Sequence, residues 1–528
     1  MFSESFPPAE TVLPPLLCEN AAGRLLHADS RNIRSGDIFI ACRGEYTDGR
    51  NFIPDALACG AAFVFWDDDG TFTWNSEWCV PHQGIKNLTE RAGLLAAQLY
   101  GFPSCADSDG LTVWGVTGTN GKTSITQWLA QAADILEGRP NSCAVIGTVG
   151  NGFWGSLAEA THTTPDPVSV QTLLHGFRQQ GARAVAMEVS SHGLDQGRVN
   201  GVTFQTAVFT NLTRDHLDYH GSMEVYGNIK ARLFDWQGLQ HAVINVDDAF
   251  GADLAGRLKT SAAGFCEAKT SEAGFCEAGT DGVNLRAVQT GRGGPEVYGY
   301  GFSAQADIRI ASFAASANGM EVVLETPWGQ GRCQTRLLGR FNAQNLAACA
   351  GVLCAAGYPL AQVLDTLAQI RPATGRMDCI MNAGKPLVVV DYAHTPDALE
   401  KALATLQEIK PQGADLWCVF GCGGNRDKGK RPLMGAAAYG GADKVVVTSD
   451  NPRMEEPQAI INDILPAVPQ PEYVSADRRT AIEYAVRHAA ADDIVLIAGK
   501  GHETYQDILG EKHHFSDFEA AQAALAAR

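Results

Sequence analysis

Short unbroken apolar runs alternate along this chain with longer segments whose apolar residues recur at helical spacing. "GDIFIACRG" reads as a strand and turn, and "NFIPDALACGAAFVFW" as a helix leading into a second strand. From Leu111, "LTVWGV" is a short apolar strand. After it, Ile125, Trp128, Leu129, Ala132, Ala133 and Leu136 repeat as one face of a helix. "RAVAMEV", "TAVFTN" and "HAVINV" follow as further strands. After "RPATGRMD" (Arg371 to Asp378) a third series runs through "PLVVVDYAH", "LWCVFGCGG", "DKVVVTSDNPR" and "DIVLIAGKGHE". Repeated strand–helix units predict an α/β fold with mostly parallel sheets covered by helices. Each strand of the third series runs straight into polar or glycine-rich residues. In open α/β sheets ligands bind beyond those ends, so this part is expected to hold something small.

The 528 residues suggest about three domains. "GFPSCADSDG" (Gly101 to Gly110) has linker composition. The expected domains are residues 1–108, a small α/β unit; 109–371, a central unit; and 372–528, a C-terminal α/β unit. Linkers near Ala106 and Pro372 would act as hinges. "SAAGFCEAKT" (Ser261 to Thr270) is followed by the similar "SEAGFCEAGT" (Ser271 to Thr280). Two copies are too few for a solenoid, and a duplication in a surface loop without function is the expectation.

Composition narrows the partners. With 45% hydrophobic and 19% charged residues the chain is ordinary for a soluble protein. It has no apolar run of about 18 residues, which argues against a membrane span. "MFSESFPPAE" has neither a basic n-region nor an apolar h-region, so no signal peptide and a cytoplasmic location are expected. A net charge of −18 disfavours non-specific binding to nucleic acid but permits a local basic pocket. Fourteen Cys without a C-x-x-C read as reduced thiols packed as small hydrophobes.

The candidate chemistry begins at "GVTGTNGKTS" (Gly115 to Ser124). A glycine-rich turn between a strand and a helix lets backbone N–H groups approach phosphate oxygens, and the helix N-terminus adds partial positive charge. Gly118, Thr119, Asn120, Gly121, Lys122, Thr123 and Ser124 form the candidate loop. Lys122 would face the β and γ phosphates and the Thr123 hydroxyl would sit on Mg²⁺. The usual spacing puts glycine where this chain has Val116. Glu188 ends the strand of "AMEVSSHGL"; alone it reads as a surface carboxylate, but beside a phosphate loop it is placed to hold Mg²⁺. "TNLTRDHLDYHGSMEVYGNIKARLF" (Thr210 to Phe234) gathers His216, Asp218, His220 and Lys230. By pattern alone Lys230 is a surface lysine on a helix.

These segments, with "TTPD", "GRFNAQNLAA", "DYAHTPDAL" and "AGKGHE", resemble the Mur ligases of peptidoglycan assembly in the same order along nearly the whole chain. The resemblance implies three domains: a small N-terminal α/β domain, a central P-loop ATPase-like domain with a parallel sheet, and a C-terminal Rossmann-like α/β domain. It implies an ATP-dependent ligase that activates a carboxylate as an acyl phosphate and joins it to an amine. Two Mg²⁺ ions would assist: Thr123 and Glu188 would serve one, and His216 would help hold the second. Lys230 matches the family's carbamylated lysine, an N6-carboxylysine that ligates metal. Asn345 would contact adenine, and Arg376, Asp391 and His394 would close over ATP. Thr163, Thr164, Ser190, Gln196 and Arg198 would hold a UDP-N-acetylmuramoyl-dipeptide, with Ser30 at its uridine.

The added amino acid is read from "TSDNPRMEEP". Asp450, Asn451, Pro452 and Arg453 match the subgroup that adds meso-diaminopimelate, which is lysine with an extra carboxylate. A planar Arg fork suits that carboxylate and is left unpaired by lysine. Arg426 would be a second anion contact, and Gly499 and Glu503 would take the other end. A folylpolyglutamate synthase would share the loop but not "DNPR". A P-loop GTPase or motor would need an N-K-x-D motif or partner-sensing segments, neither of which is found. A non-catalytic nucleotide-binding module would not need Lys122, Glu188, His216 and Lys230 together. The expected partners are small molecules acting on a monomer.

Overall fold

The computed structural model describes residues 24–44, 47–105, 110–267, 294–316 and 319–528. The tandem repeat falls mainly outside the described residues, as do Ala106 and the first 23 positions. The chain divides into two compact units, one drawn from 1–117, 139–207 and 229–240, the other from 118–138, 208–228 and 241–528.

The first unit opens with a four-stranded sheet, β1 (Leu26–His27), β2 (Ile38–Ala41), β3 (Phe63–Asp67) and β4 (His82–Ile85), paired in parallel and in chain order. Ile38, Ile40, Phe63 and Phe65 bury one face under the helix Leu88–Leu99, while Phe39, Ala41 and Val64 bury the other. Next come β5 (Thr112–Thr117), β6 (Cys143–Gly147), β7 (Gly150–Phe153), β8 (Ser156–Ala158), β9 (Ala184–Glu188) and β10 (Thr206–Phe209), in the order β10-β5-β9-β6-β7-β8. β5, β9 and β6 run parallel, and β7 and β8 add an antiparallel edge.

The second unit holds the helix Lys122–Leu136, which buries Ile125, Trp128, Leu129, Ala132 and Ala133 of the expected face but not Leu136, and buries the polar positions between them as well. It also holds β11 (His241–Asn245), β12 (Glu296–Gly301), β13 (Ile308–Ser316), β14 (Gly319–Thr326) and β15 (Gly329–Thr335). β11 to β13 are parallel, whereas β13, β14 and β15 form an antiparallel meander.

The C-terminal sheet is ordered β16-β17-β21-β18-β19-β20, with β16 (Asp378–Ile380), β17 (Leu387–Asp391), β18 (Leu416–Phe420), β19 (Lys444–Thr448), β20 (Tyr473–Ser475) and β21 (Ile494–Ala498). β16 is antiparallel and the rest are parallel. Val389, Cys418, Val447 and Leu496 face one helical layer; Val388, Val390, Trp417, Val446 and Val495 face the other. Burial on both faces explains why these strands read as unbroken apolar runs. β21 inserts between β17 and β18, and because β17, β21, β18 and β19 are parallel, the loops after them leave the same edge of the sheet. Arg478 braces that edge: it forms a bidentate pair with Asp517, each bond 2.7 Å, and donates to the carbonyls of Ser449 and Ala498. A hairpin of β22 (Tyr505–Ile508) and β23 (Glu511–His514) completes this part.

The described cysteines are all free. Burial pushes the Cys418 and Cys422 thiols up to about 12, as expected of packed, unreactive thiols.

Candidate active site

The glycine-rich loop leaves β5 and enters the helix at Lys122. Val116 is still inside the strand and fully buried, and its carbonyl accepts from Val189 N–H at 2.8 Å, so glycine is not needed there. Gly118 has φ +139°, and a Cβ on it would stand 1.9 Å from Oγ1 of Thr210, so only glycine fits. The segment Thr210–Thr213 braces the loop: Asn211 O accepts from Thr119 N–H (2.8 Å) and Asn211 Oδ1 from Asn120 N–H (3.0 Å). Thr210 Oγ1 donates to Asn120 O at 2.6 Å. Lys122 Nζ lies over its own loop, donating to Gly118 O and Thr119 O, both at 2.9 Å. Thr123 and Ser124 are buried in the first helical turn. Asn345, on the helix Arg340–Ala355, donates to Asn342 Oδ1 and sets its amide oxygen against Gly121.

Arg376 Nη2 donates to Thr123 Oγ1 at 3.3 Å, and the guanidinium lies 4.5 Å from the centre of the Tyr392 ring. Asp391 ends β17 and accepts from Met377 N–H at 2.7 Å. Burial holds its carboxyl above the usual range, with Arg376 opposing. His394 is exposed, yet desolvation by the protein on its inner side holds the imidazole below its ordinary range, with Lys430 adding to the effect and Asp215 opposing. Burial works against ionisation of Asp215, yet His216, His394 and Lys430 together hold its carboxyl below the usual range. His216 stands with its side chain half exposed, 3.5 Å from Asp215. Of the other candidates in this segment, Asp218 is exposed, and His220 is buried and stacked on Tyr226 at 5.0 Å, a packing role.

In the first unit the candidates at the ends of β6 and β9 converge. Glu188 is 1% exposed and accepts from Thr148 N–H (3.0 Å) on Oε1 and from Thr148 Oγ1 (3.1 Å) on Oε2. Thr148 Oγ1 also meets Thr163 Oγ1 at 3.0 Å. Thr164 Oγ1 donates to Glu188 O and accepts from Ser190 N–H. Ser190 Oγ caps the short helix Ser191–Asp195. Arg198 donates to Thr164 O, and its fork holds Gln196 Oε1 at 2.9 and 2.6 Å. Ser30 is buried at the start of a 3₁₀ turn beside the N-terminal sheet. Lys230, in the last turn of the helix Met223–Ala231, is 1% exposed. This corrects the surface-lysine reading: helical periodicity carries no information about what packs over a helix end.

The loop after β19 carries Asp450, Asn451, Pro452 and Arg453. Arg453 has φ +51°, held by Arg453 N–H to Asp507 O (2.9 Å) and Leu509 N–H to Arg453 O (2.8 Å). Its Nη1 donates to Gly424 O at 2.8 Å, and its Nε lies 3.9 Å from Asp507 Oδ2. Arg426 is exposed on the neighbouring loop, with its Cγ 3.8 Å from where a Gly423 Cβ would stand. Gly499 has φ +118°, and a Cβ there would meet Asp450 Oδ2 at 2.5 Å. Glu503 accepts on Oε2 from Asn451 Nδ2 (2.8 Å) and Lys500 Nζ (2.9 Å). Pattern reading missed Lys500, Thr148, Asn211 and Asp215; Lys500, Asn211 and Asp215 lie inside quoted motifs, but neighbouring letters do not say what a side chain touches.

Among the described residues no three His, Cys, Asp or Glu side chains converge to hold a metal alone. That suits Mg²⁺, which takes few protein oxygens and keeps water and substrate phosphate as its other ligands.

Comparison with known proteins bears on the family. Three family models match in order: "Mur ligase family, catalytic domain" over 24–98, "Mur ligase middle domain" over 116–293 and 281–353, and "Mur ligase, glutamate ligase domain" over 375–501. The chain is 69% identical over 528 residues, 100% of both chains, to the UDP-N-acetylmuramoyl-L-alanyl-D-glutamate–2,6-diaminopimelate ligase of Neisseria meningitidis serogroup A. It is 55% identical to the protein of the same name from Chromobacterium violaceum, over 95% of this chain and 94% of that one. A solved structure of a ligase so named is 36% identical, with a TM-score of 0.64 over 95% of this chain and 94% of the other. With a glycine-rich phosphate loop, an α/β fold and matches along its length, the chain belongs to the Mur ligase family of ATP-dependent ligases.

Proposed function

We propose that this ligase adds meso-diaminopimelate to UDP-N-acetylmuramoyl-L-alanyl-D-glutamate, with ATP converted to ADP and phosphate. The substrate carboxylate attacks the γ-phosphorus and ADP leaves, giving an acyl phosphate. The amine then attacks the acyl carbon and phosphate leaves. A free carboxylate is a poor electrophile, and phosphorylation supplies its leaving group. Lys122 would exchange its two loop carbonyls for phosphate oxygens as charge develops. Arg376, Asp391, His394 and Asn345 would hold the nucleotide; Thr163, Thr164, Ser190, Gln196 and Arg198 the muramoyl-dipeptide; Ser30 its uridine. Thr123 and Glu188 would take one Mg²⁺, with His216 and a carbamylated Lys230 at a second. These ions neutralise phosphate charge when bound. Three domains near 1–108, 109–371 and 372–528, acting as a cytoplasmic monomer and closing to exclude water from the acyl phosphate, complete the proposal.

One observation carries the choice of amino acid. Arg453 is held in a left-handed conformation, in a loop that also presents Asn451 to Glu503. The Arg453 fork would suit a carboxylate and the Glu503 acid an ammonium. Asp450 and Gly499 pack beside them, and Arg426 adds a cation at the rim. Support also comes from the names of the full-length relatives. The test is product mass and phosphate release with ATP, Mg²⁺, the UDP-muramoyl-dipeptide and competing amino acids. meso-Diaminopimelate should be the preferred acceptor; preference for L-lysine would overturn the assignment.

A further inference from the structure

We infer that Lys500 is a positioning residue for the amino-acid end of the site, fixing Glu503 so that one carboxylate oxygen stays open for the substrate's ammonium. The inference rests on the reading of Glu503 as the ammonium acceptor. The Lys500 side chain is 0% exposed, so it cannot itself reach a ligand. Its Nζ donates to Glu503 Oε2 at 2.9 Å and to Asn451 Oδ1 at 3.0 Å. Asn451 closes the triangle by donating from Nδ2 to the same Glu503 Oε2 at 2.8 Å, while its Oδ1 also accepts from Asp507 N–H at 3.0 Å. Both ends of the Asn451 amide are therefore used inside the protein, which makes its side chain part of the support.

Both donors to Glu503 converge on one oxygen. Among the described residues no side-chain or backbone donor bonds its Oε1. The Glu503 side chain is 17% exposed, so it opens outward from a covered base. A carboxylate held on one oxygen by two donors cannot rotate freely, and its second oxygen is pre-aimed. Such preorganisation favours the ligand by removing ordering that binding would otherwise require. A Glu on a tight turn without Lys500 would sample several rotamers. The Lys500 ammonium also needs Glu503, because a buried charge stripped of its partner is strongly unfavourable.

The experiment uses the full-length enzyme and three variants: Lys500→Met, Glu503→Gln and the double variant. Steady-state rates are measured against meso-diaminopimelate at saturating ATP and UDP-muramoyl-dipeptide, then against ATP. Hydrogen bonds to charged groups set the scale, so Lys500→Met should raise the KM for the amino acid by about 10-fold or more. The KM for ATP should stay within about 2-fold, a split that general loosening of the fold would not produce. The double variant should be no worse than Glu503→Gln, because Lys500 acts through Glu503. If Lys500→Met does not fold, the comparison of the double variant with Glu503→Gln carries the test, the double variant being the one that leaves no lone buried charge. Unchanged amino-acid KM in Lys500→Met, equal rises for both substrates, or multiplying losses in the double variant would each overturn the assignment. A wild-type enzyme that does not use meso-diaminopimelate would instead overturn the substrate reading on which it rests.

Discussion

Nη2 of Arg376 donates to Oγ1 of Thr123 across 3.3 Å, joining the segment that leads into β16 to the first turn of the helix after the glycine-rich loop. The guanidinium is held over the Tyr392 ring, and its Nε is buried with no hydrogen-bond partner among the described residues. An aligned cation with a spare donor is what an incoming phosphate requires. Arg376→Ala is expected to raise the KM for ATP about 10-fold, the scale of one charged hydrogen bond, and to leave the KM for the amino acid near wild type. Rates with each substrate varied in turn check this.

Lys122→Ala removes the ammonium now lying over Gly118 O and Thr119 O. ATP turnover should be abolished while circular dichroism and the melting temperature stay close to wild type. Near-normal ligation by a folded variant would refute the phosphate-loop assignment.

Lys230 is enclosed at the end of its helix. Lys230→Ala should lose most activity, and high bicarbonate should not restore it, because no amine remains to take up CO₂. A short carboxylic acid added in trans should restore a little. Intact-mass and activity measurements together check this, and full activity in the Ala variant would show that the carbamate has no role.

Arg453→Ala should lower kcat/KM for meso-diaminopimelate by about 10- to 150-fold, from the 1.5–3 kcal/mol typical of charged hydrogen bonds. Arg453→Lys should rescue only partly, since one ammonium cannot reproduce a fork. ATP affinity should hardly change, and L-lysine should gain relative to meso-diaminopimelate in the Ala variant. Loss of ATP affinity with amino-acid selection intact would contradict the specificity argument.

Glu455 accepts from Arg431 Nη2 at 2.8 Å and from Asn425 N–H, and these bonds hold its carboxyl down to about 2, below the ordinary 4.5. A folded-state value below the unfolded one contributes stability that is present above pH 4.5 and lost as pH falls through about 2. Acid unfolding of Glu455→Gln should therefore show a flatter pH dependence over that window than wild type. Identical slopes would remove Glu455 from the account.

Local pattern was enough to place β17, β18, β19 and β21 of the C-terminal sheet, though not the short, half-buried β20. Val388, Val389 and Val390 alternate between two buried faces, so an apolar run was required whatever the rest of the chain did. The phosphate loop was legible for the same kind of reason: its geometry depends on adjacent residues, with glycine where Thr210 leaves no room for a Cβ. The meander β13 to β15 was not read, because each strand buries one face and shows the other to solvent, diluting the apolar signal. The environment of chemically important side chains was the least legible. Arg376 meets Thr123 from 253 positions away, and Asn120 meets Asn211 from 91. Periodicity records which face of an element is apolar, not which distant loop covers it. Lys230 therefore reads as a surface residue until the chain folds over it, and Asn451 joins Lys500 and Glu503 only once the loops after β19 and β21 meet at the end of one sheet.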